Sequence, residues 1–153
     1  MKILDILSAE SVIADLHGTS KLEVLEELST RLAEYHPQIP KDRLVEVLLD
    51  REKLGSTAIG EGIAIPHGKM PNLTGVVAAF GRSIGGVDFE SLDGGPTQLF
   101  FLLVAPEDAS GAHLKALARV SRLLRDKDFR QRLLAADGPQ QIYQTIRQED
   151  DKY

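Results

Sequence analysis

A chain of 153 residues is long enough for one domain with a substantial core. Its 42% hydrophobic and 27% charged residues exclude a disordered chain, and its net charge of −5 leaves no footprint for nucleic acid. The absence of cysteine excludes disulfides, thiolate zinc sites and a cysteine nucleophile.

The N-terminus, MKILDILSAES, carries Asp5 and Glu10 and lacks the apolar segment and cleavage site of a signal peptide. The longest apolar run, LFFLLVA (99–105), is far shorter than the roughly 20 residues a membrane-spanning helix needs. A cytoplasmic chain with no membrane insertion is expected. SVIADL (11–16) is a strand candidate. Ser20-Lys21-Leu22-Glu23 has capping-box spacing, and Leu22, Leu25, Leu28 and Leu32 recur at helical intervals until His36-Pro37. A second helix starts at Pro40, turns Leu44, Val45 and Leu48 inward, and ends at Gly55.

GVVAAFG (75–81) and TQLFFLLVA (97–105) read as strands separated by the turn-rich SLDGGP. The second is apolar enough to lie centrally, covered on both faces. Further on, Ser110 is a candidate N-cap, with Leu114, Leu117, Ser121 and Leu124 as the inward stripe. Shorter helical segments follow at 129–134 and 142–146, with Pro139 opening the last, and the tail from about 148 is expected to fray. The fold class expected is α/β: a single three-layer domain over 1–153, its central mixed sheet flanked by helices.

Chemistry concentrates in GIAIPHGKM (62–70). It imitates a phosphate-binding P-loop but fails, because five residues separate the glycines and Met70 replaces the magnesium-binding hydroxyl. His67 is better placed. Pro66 fixes its own φ and biases Ile65 toward extended backbone, so the approach to the imidazole is stiff. Gly68, with no Cβ, lets another backbone or a partner come close. The bland alternative is a strand-end histidine in a turn.

Arg51 continues the inward stripe of the second helix, and a guanidinium at a buried edge calls for an anion or a carboxylate. Otherwise it snorkels at a helix C-terminus, where positive charge is favoured in any case. Glu52 points elsewhere on the helix and is not the obvious partner. His113, in the first turn after Ser110, sits where the helix dipole disfavours imidazolium and free N–H groups attract anions; a backbone-satisfied core histidine is the alternative. His17 and His36 occupy a turn and a helix end and read as solvent-side. His67 and His113 lack further ligands at metal spacing, so neither a metal nor another cofactor is expected. The basic stretch 115–132, with Lys115, Arg119 and Arg122 on one helical face, is either a solvated face or a docking patch for an acidic partner.

REKLGSTAIGEGIAIPHGK (51–69), together with AHLKALARVSRLLRD (112–126), resembles enzyme IIA of the mannitol/fructose class of the bacterial phosphotransferase system, most closely its nitrogen-regulatory branch. The similarity in order and spacing runs from MKILDILSAE to the last helix. The resemblance implies that His67 accepts a phosphoryl group on Nε2 from a histidine-containing phosphocarrier protein, with Arg51 and His113 steadying it. Glu61 and Gly68 match positions around the site, and a nearby Glu61 would repel the phosphate and keep it transferable. It further implies regulated targets such as potassium-transport regulators or sensor kinases. Two other readings stand beside it: a sugar-uptake IIA passing phosphate to a separate IIB domain, and an interaction module with no phosphoryl chemistry, working through 115–132.

Overall fold

The computed structural model describes residues Met1–Tyr153. A six-stranded mixed sheet runs β1-β5-β6-β3-β2, with β4 pairing β6 alongside β3. Its strands are β1 (Leu7–Ile13), β2 (Ala58–Gly60), β3 (Ile63–Ala64), β4 (His67–Met70), β5 (Val77–Val87) and β6 (Thr97–Pro106). Helices α1 (Lys21–Tyr35) and α2 (Lys41–Glu52) precede the middle strands, and α3 (Ser110–Leu124), α4 (Lys127–Ala135) and α5 (Pro139–Asp150) follow them.

Strand β6 organises both cores. Leu99, Phe101 and Leu103 face a cluster completed by Ala116, Val120, Phe129, Leu133, Ile142 and Ile146 of α3, α4 and α5. The alternate residues Phe100, Leu102 and Val104 face a second cluster with Leu25, Leu28, Leu44 and Leu48 of α1 and α2. The unbroken apolar run is thus two interleaved faces, each under its own helical layer. Each fully buried Phe or Leu contributes about 1.5–3 kcal/mol relative to exposure. The α/β three-layer architecture expected from sequence is the one observed. No helix is long and apolar enough to cross a membrane.

Local signals placed several elements correctly. Ser20 caps α1 by accepting the Glu23 N–H, and Pro139 opens α5 at its first turn. Several details differ, four of them here. The first strand begins earlier than SVIADL, at Leu7, where it joins β5 in parallel pairing. Ser110 is the first helical residue rather than the cap: the N-cap is Ala109, which makes no side-chain capping bond. The buried stripe of α3 is His113, Ala116, Val120, Leu123 and Leu124, leaving Leu114 66% exposed.

The tail is the fourth correction. Helix α5 continues to Asp150, and Glu149 and Asp150 are buried instead of frayed. Arg119 donates twice to Asp150 Oδ1, at 2.9 and 2.6 Å, while Arg132 and Lys152 lie 2.8 and 3.0 Å from Glu149 Oε1. Lys2 Nζ donates to the Asp150 carbonyl at 2.8 Å, so the two termini are tied together. Carboxylates this deep are tolerated because cations meet them.

Candidate functional site

Strands β3 and β4 are two parts of one line. Both run parallel to β6, β3 against Leu99 and Phe100 and β4 against Leu103 to Pro106. Between them Pro66 has no N–H to offer the ladder, though its carbonyl accepts the Leu103 N–H at 3.0 Å. The line is interrupted at Ile65-Pro66 and resumes on His67, which begins β4 half-buried.

The interruption frees a carbonyl beneath the imidazole. His67 Nδ1 lies 2.8 Å from the Ile65 oxygen. A carbonyl can only accept, so Nδ1 carries the proton and the neutral ring presents its lone pair on Nε2. Burial pushes His67 below the ordinary imidazole value of 6.5. The Ile65 bond pulls upward, the Arg51 charge adds to the lowering, and the Glu52 carboxylate opposes it.

His113 approaches from α3, its ring centroid 5.4 Å from that of His67 and the planes inclined at 62°. Burial lowers its pKa, assisted by the charges of His67 and Lys69. Its Nδ1 is buried without a hydrogen-bond partner. A buried N–H with no acceptor is rarer than an idle lone pair, which favours the tautomer with its proton on Nε2. Arg51, in the last turn of α2, donates Nη1–H to the Gly55 carbonyl at 2.9 Å. Two neutral imidazoles and a guanidinium therefore meet at the edge of the sheet.

Residues 5–149 match the family described as the phosphoenolpyruvate-dependent sugar phosphotransferase system, EIIA 2. The chain belongs to this EIIA family. It is similar to the nitrogen regulatory protein of Bradyrhizobium diazoefficiens, with 48% identity over 95% of each chain. It is also similar to the fructose-specific EIIABC component of Bacillus subtilis, with 40% identity over 98% of this chain but 24% of that longer protein. Among solved structures, IIA-Ntr from Neisseria meningitidis superposes with a TM-score of 0.87 and 32% identity, covering 94% of this chain and 98% of the other.

Within this EIIA chain, the remaining sequence candidates fall out differently. Gly68 meets a side chain where a backbone or partner was expected: a Cβ there would lie 2.7 Å from Val47 Cγ1, so the glycine lets α2 press against β4. Glu61, with φ of +58°, turns β2 into β3 together with Gly62 at +75°. Its carboxylate is 76% exposed and 3.5 Å from Arg130, while the carboxylate that acts on His67 is that of Glu52. Arg119 and Arg132 of the basic stretch bind the buried carboxylates of α5, Arg130 donates to the Leu124 carbonyl at 2.8 Å, and Arg122 stacks over Tyr153. Much of that stretch is therefore internal fastening.

Sequence reasoning also missed Lys69, whose Nζ donates to Ser110 Oγ at 2.9 Å and so ties β4 to the start of α3. From sequence Ser110 is expected to cap its own helix, so the partner of Lys69 is not sought there; the structure makes Ala109 the N-cap and leaves the Ser110 hydroxyl free to bond elsewhere. No group of three His, Asp or Glu side chains is arranged to hold a metal ion.

Proposed function

We propose that this chain is a phosphoryl relay: Nε2 of His67 accepts a phosphoryl group from a histidine-containing phosphocarrier protein, and the resulting state regulates partner proteins. The observation that carries the reading is the bond from His67 Nδ1 to the Ile65 carbonyl, which leaves Nε2 as the nucleophilic nitrogen. In the transfer, the Nε2 lone pair forms a new N–P bond. The N–P bond of the donor breaks, and its electron pair stays on the donor imidazole. His67 loses no proton, so its ring becomes cationic, and Nδ1–H already points at an oxygen that stabilises that charge.

Little covalent help is needed, because positioning and charge stabilisation govern such transfers. Arg51 grips phosphoryl oxygens with the donors that Gly55 leaves free, and His113 offers Nε2–H to another. A protein donor fits exposed apolar side chains next to the site residues in sequence: Leu54, three residues after Arg51, and Leu114, which follows His113, are 84% and 66% exposed.

The regulatory half of the proposal follows the nitrogen regulatory relative, which matches over nearly its whole length, and its nitrogen- and potassium-linked targets, such as transport regulators or sensor kinases, are those the sequence resemblance implies. The likeness to a fructose-specific component favours a second reading, passage of the phosphoryl group to a separate IIB domain. Intact mass after incubation with phosphoenolpyruvate, enzyme I and a carrier protein tests the relay. One acid-labile phosphoryl group on wild type and none on His67→Ala is expected. No gain with any carrier would sink the relay and leave an interaction module. Rapid discharge onto a cognate IIB would move the function to sugar uptake.

A further inference from the structure

Arg51 and Glu52 are neighbours in sequence and turn opposite ways. Arg51 reaches the site, while Glu52 is 7% exposed between α2 and α1. Both Glu52 oxygens are occupied. Lys21 Nζ of α1 donates to Oε1 at 3.0 Å and Thr57 N–H to the same oxygen at 3.2 Å, while the Thr57 hydroxyl donates to Oε2. The loop between Glu52 and Thr57 is pinned at its other points too. Gly55 N–H donates to the Glu52 carbonyl at 3.0 Å, and Ser56 Oγ donates to the Phe89 carbonyl at 2.8 Å.

That loop supplies the Gly55 carbonyl, the hydrogen-bond acceptor of the Arg51 guanidinium. Lys53, Leu54 and Gly55 are exposed, so no packing holds the carbonyl in place. We propose that Glu52 is a positioning residue, held by Lys21 and Thr57, that closes the 53–57 loop and thereby aims Arg51 at the phosphoryl group of His67. The inference rests on the phosphoryl-relay reading and deepens it. Three of the four residues of the LGST segment (54–57) then have a physical role, with Gly55 supplying the carbonyl and Ser56 and Thr57 fastening the loop.

The test measures phosphoryl acceptance by Thr57→Val, Thr57→Ser, Glu52→Gln and Arg51→Ala, and by Thr57→Val combined with Arg51→Ala. Thr57→Val and Glu52→Gln should each slow acceptance about tenfold, the cost of a misaligned clamp. Thr57→Ser keeps the hydroxyl and should match wild type. Once Arg51 is alanine, Thr57→Val should cause no further loss, because both changes act through one guanidinium. A purely structural role would slow the double variant by the same factor as the single, and that result overturns the proposal. So does a Thr57→Val rate equal to wild type.

A second readout does not depend on phosphate. The Arg51 Nε–Hε NMR signal should be ordered in wild type and motionally averaged in Thr57→Val. Unchanged order in Thr57→Val rejects the positioning role even if wild type accepts phosphate normally. Failure of wild type to accept phosphate rejects the relay, and with it the effect on transfer.

Discussion

Arg82 and Arg51 lie in two regions that treat a guanidinium in opposite ways. Arg82, on β5, is 4% exposed. Its Nε donates to the Ala14 carbonyl at 3.0 Å, its Nη1 to those of Leu133 and Ala136 at 3.0 and 2.7 Å, and its Nη2 lies 3.9 Å from Asp15. It staples the C-terminal turn of α4 to the sheet, where the helix dipole also favours a cation. Arg51 makes one bond, to Gly55. A guanidinium with most of its donors bonded to buried carbonyls holds the fold together, whereas one with most of its donors to spare can meet an incoming anion. Charge type does not separate the two roles; the degree of saturation does.

The contrast between the two arginines breaks most visibly on stability. Arg82→Met strands several buried carbonyls and should destabilise the protein by about 3 kcal/mol, read by chemical denaturation. A loss under about 0.5 kcal/mol would mean that those carbonyls find other donors.

Arg51→Ala should do the reverse. Stability should stay within about 0.5 kcal/mol of wild type, while phosphoryl acceptance from the carrier falls roughly a hundredfold. A variant that unfolds early and still accepts phosphate at the wild-type rate would exchange the two roles.

The smallest effect is on titration. His67 is held below 6.5 chiefly by burial, and attack requires the neutral ring, so acceptance should stay level as pH falls through 6.5 and decline only at lower pH. Removing the Arg51 charge should raise the His67 pKa and bring that decline to higher pH, whereas Arg82→Met should leave it in place; NMR titration of the ring reads both. Stability carries the matching sign. The unfolded chain protonates His67 and His113 first, so their contribution is complete above 6.5 and is lost as pH falls toward their folded values.

The parts of the fold legible in sequence were those whose cause is local. The run at 99–105 is apolar on every residue because both faces of β6 are covered, and Ser20 with Glu23 announces a helix start within four positions. What escaped depends on distant partners. Glu149 and Asp150 look like a solvated tail until Arg132 and Arg119 are brought to them across 17 and 31 positions. Strand β5 continues beyond Gly81 through a charged residue because acceptors for Arg82 arrive from 133–136.

The candidate site divides in the same way. Pro66-His67-Gly68 could be singled out because a proline and a glycine act on their immediate neighbours. Glu52 could be excluded as a direct partner of Arg51 from helix geometry. Its attachment to Lys21, 31 positions away, was invisible to that reasoning. Glu61 was assigned by motif position alone, and the turn it forms carries its carboxylate toward Arg130.

Arg51 belongs to the helical layer on one side of the sheet and His113 to the layer on the other, with His67 at the edge between them. The trio is therefore closed from both sides, like the jaws of a caliper, by residues from the two helical layers. A chain with only one layer docked has half a site, however well that half is formed. On the proposed relay, the capacity to be charged would require complete assembly, so a partly folded copy would be silent rather than send a false signal.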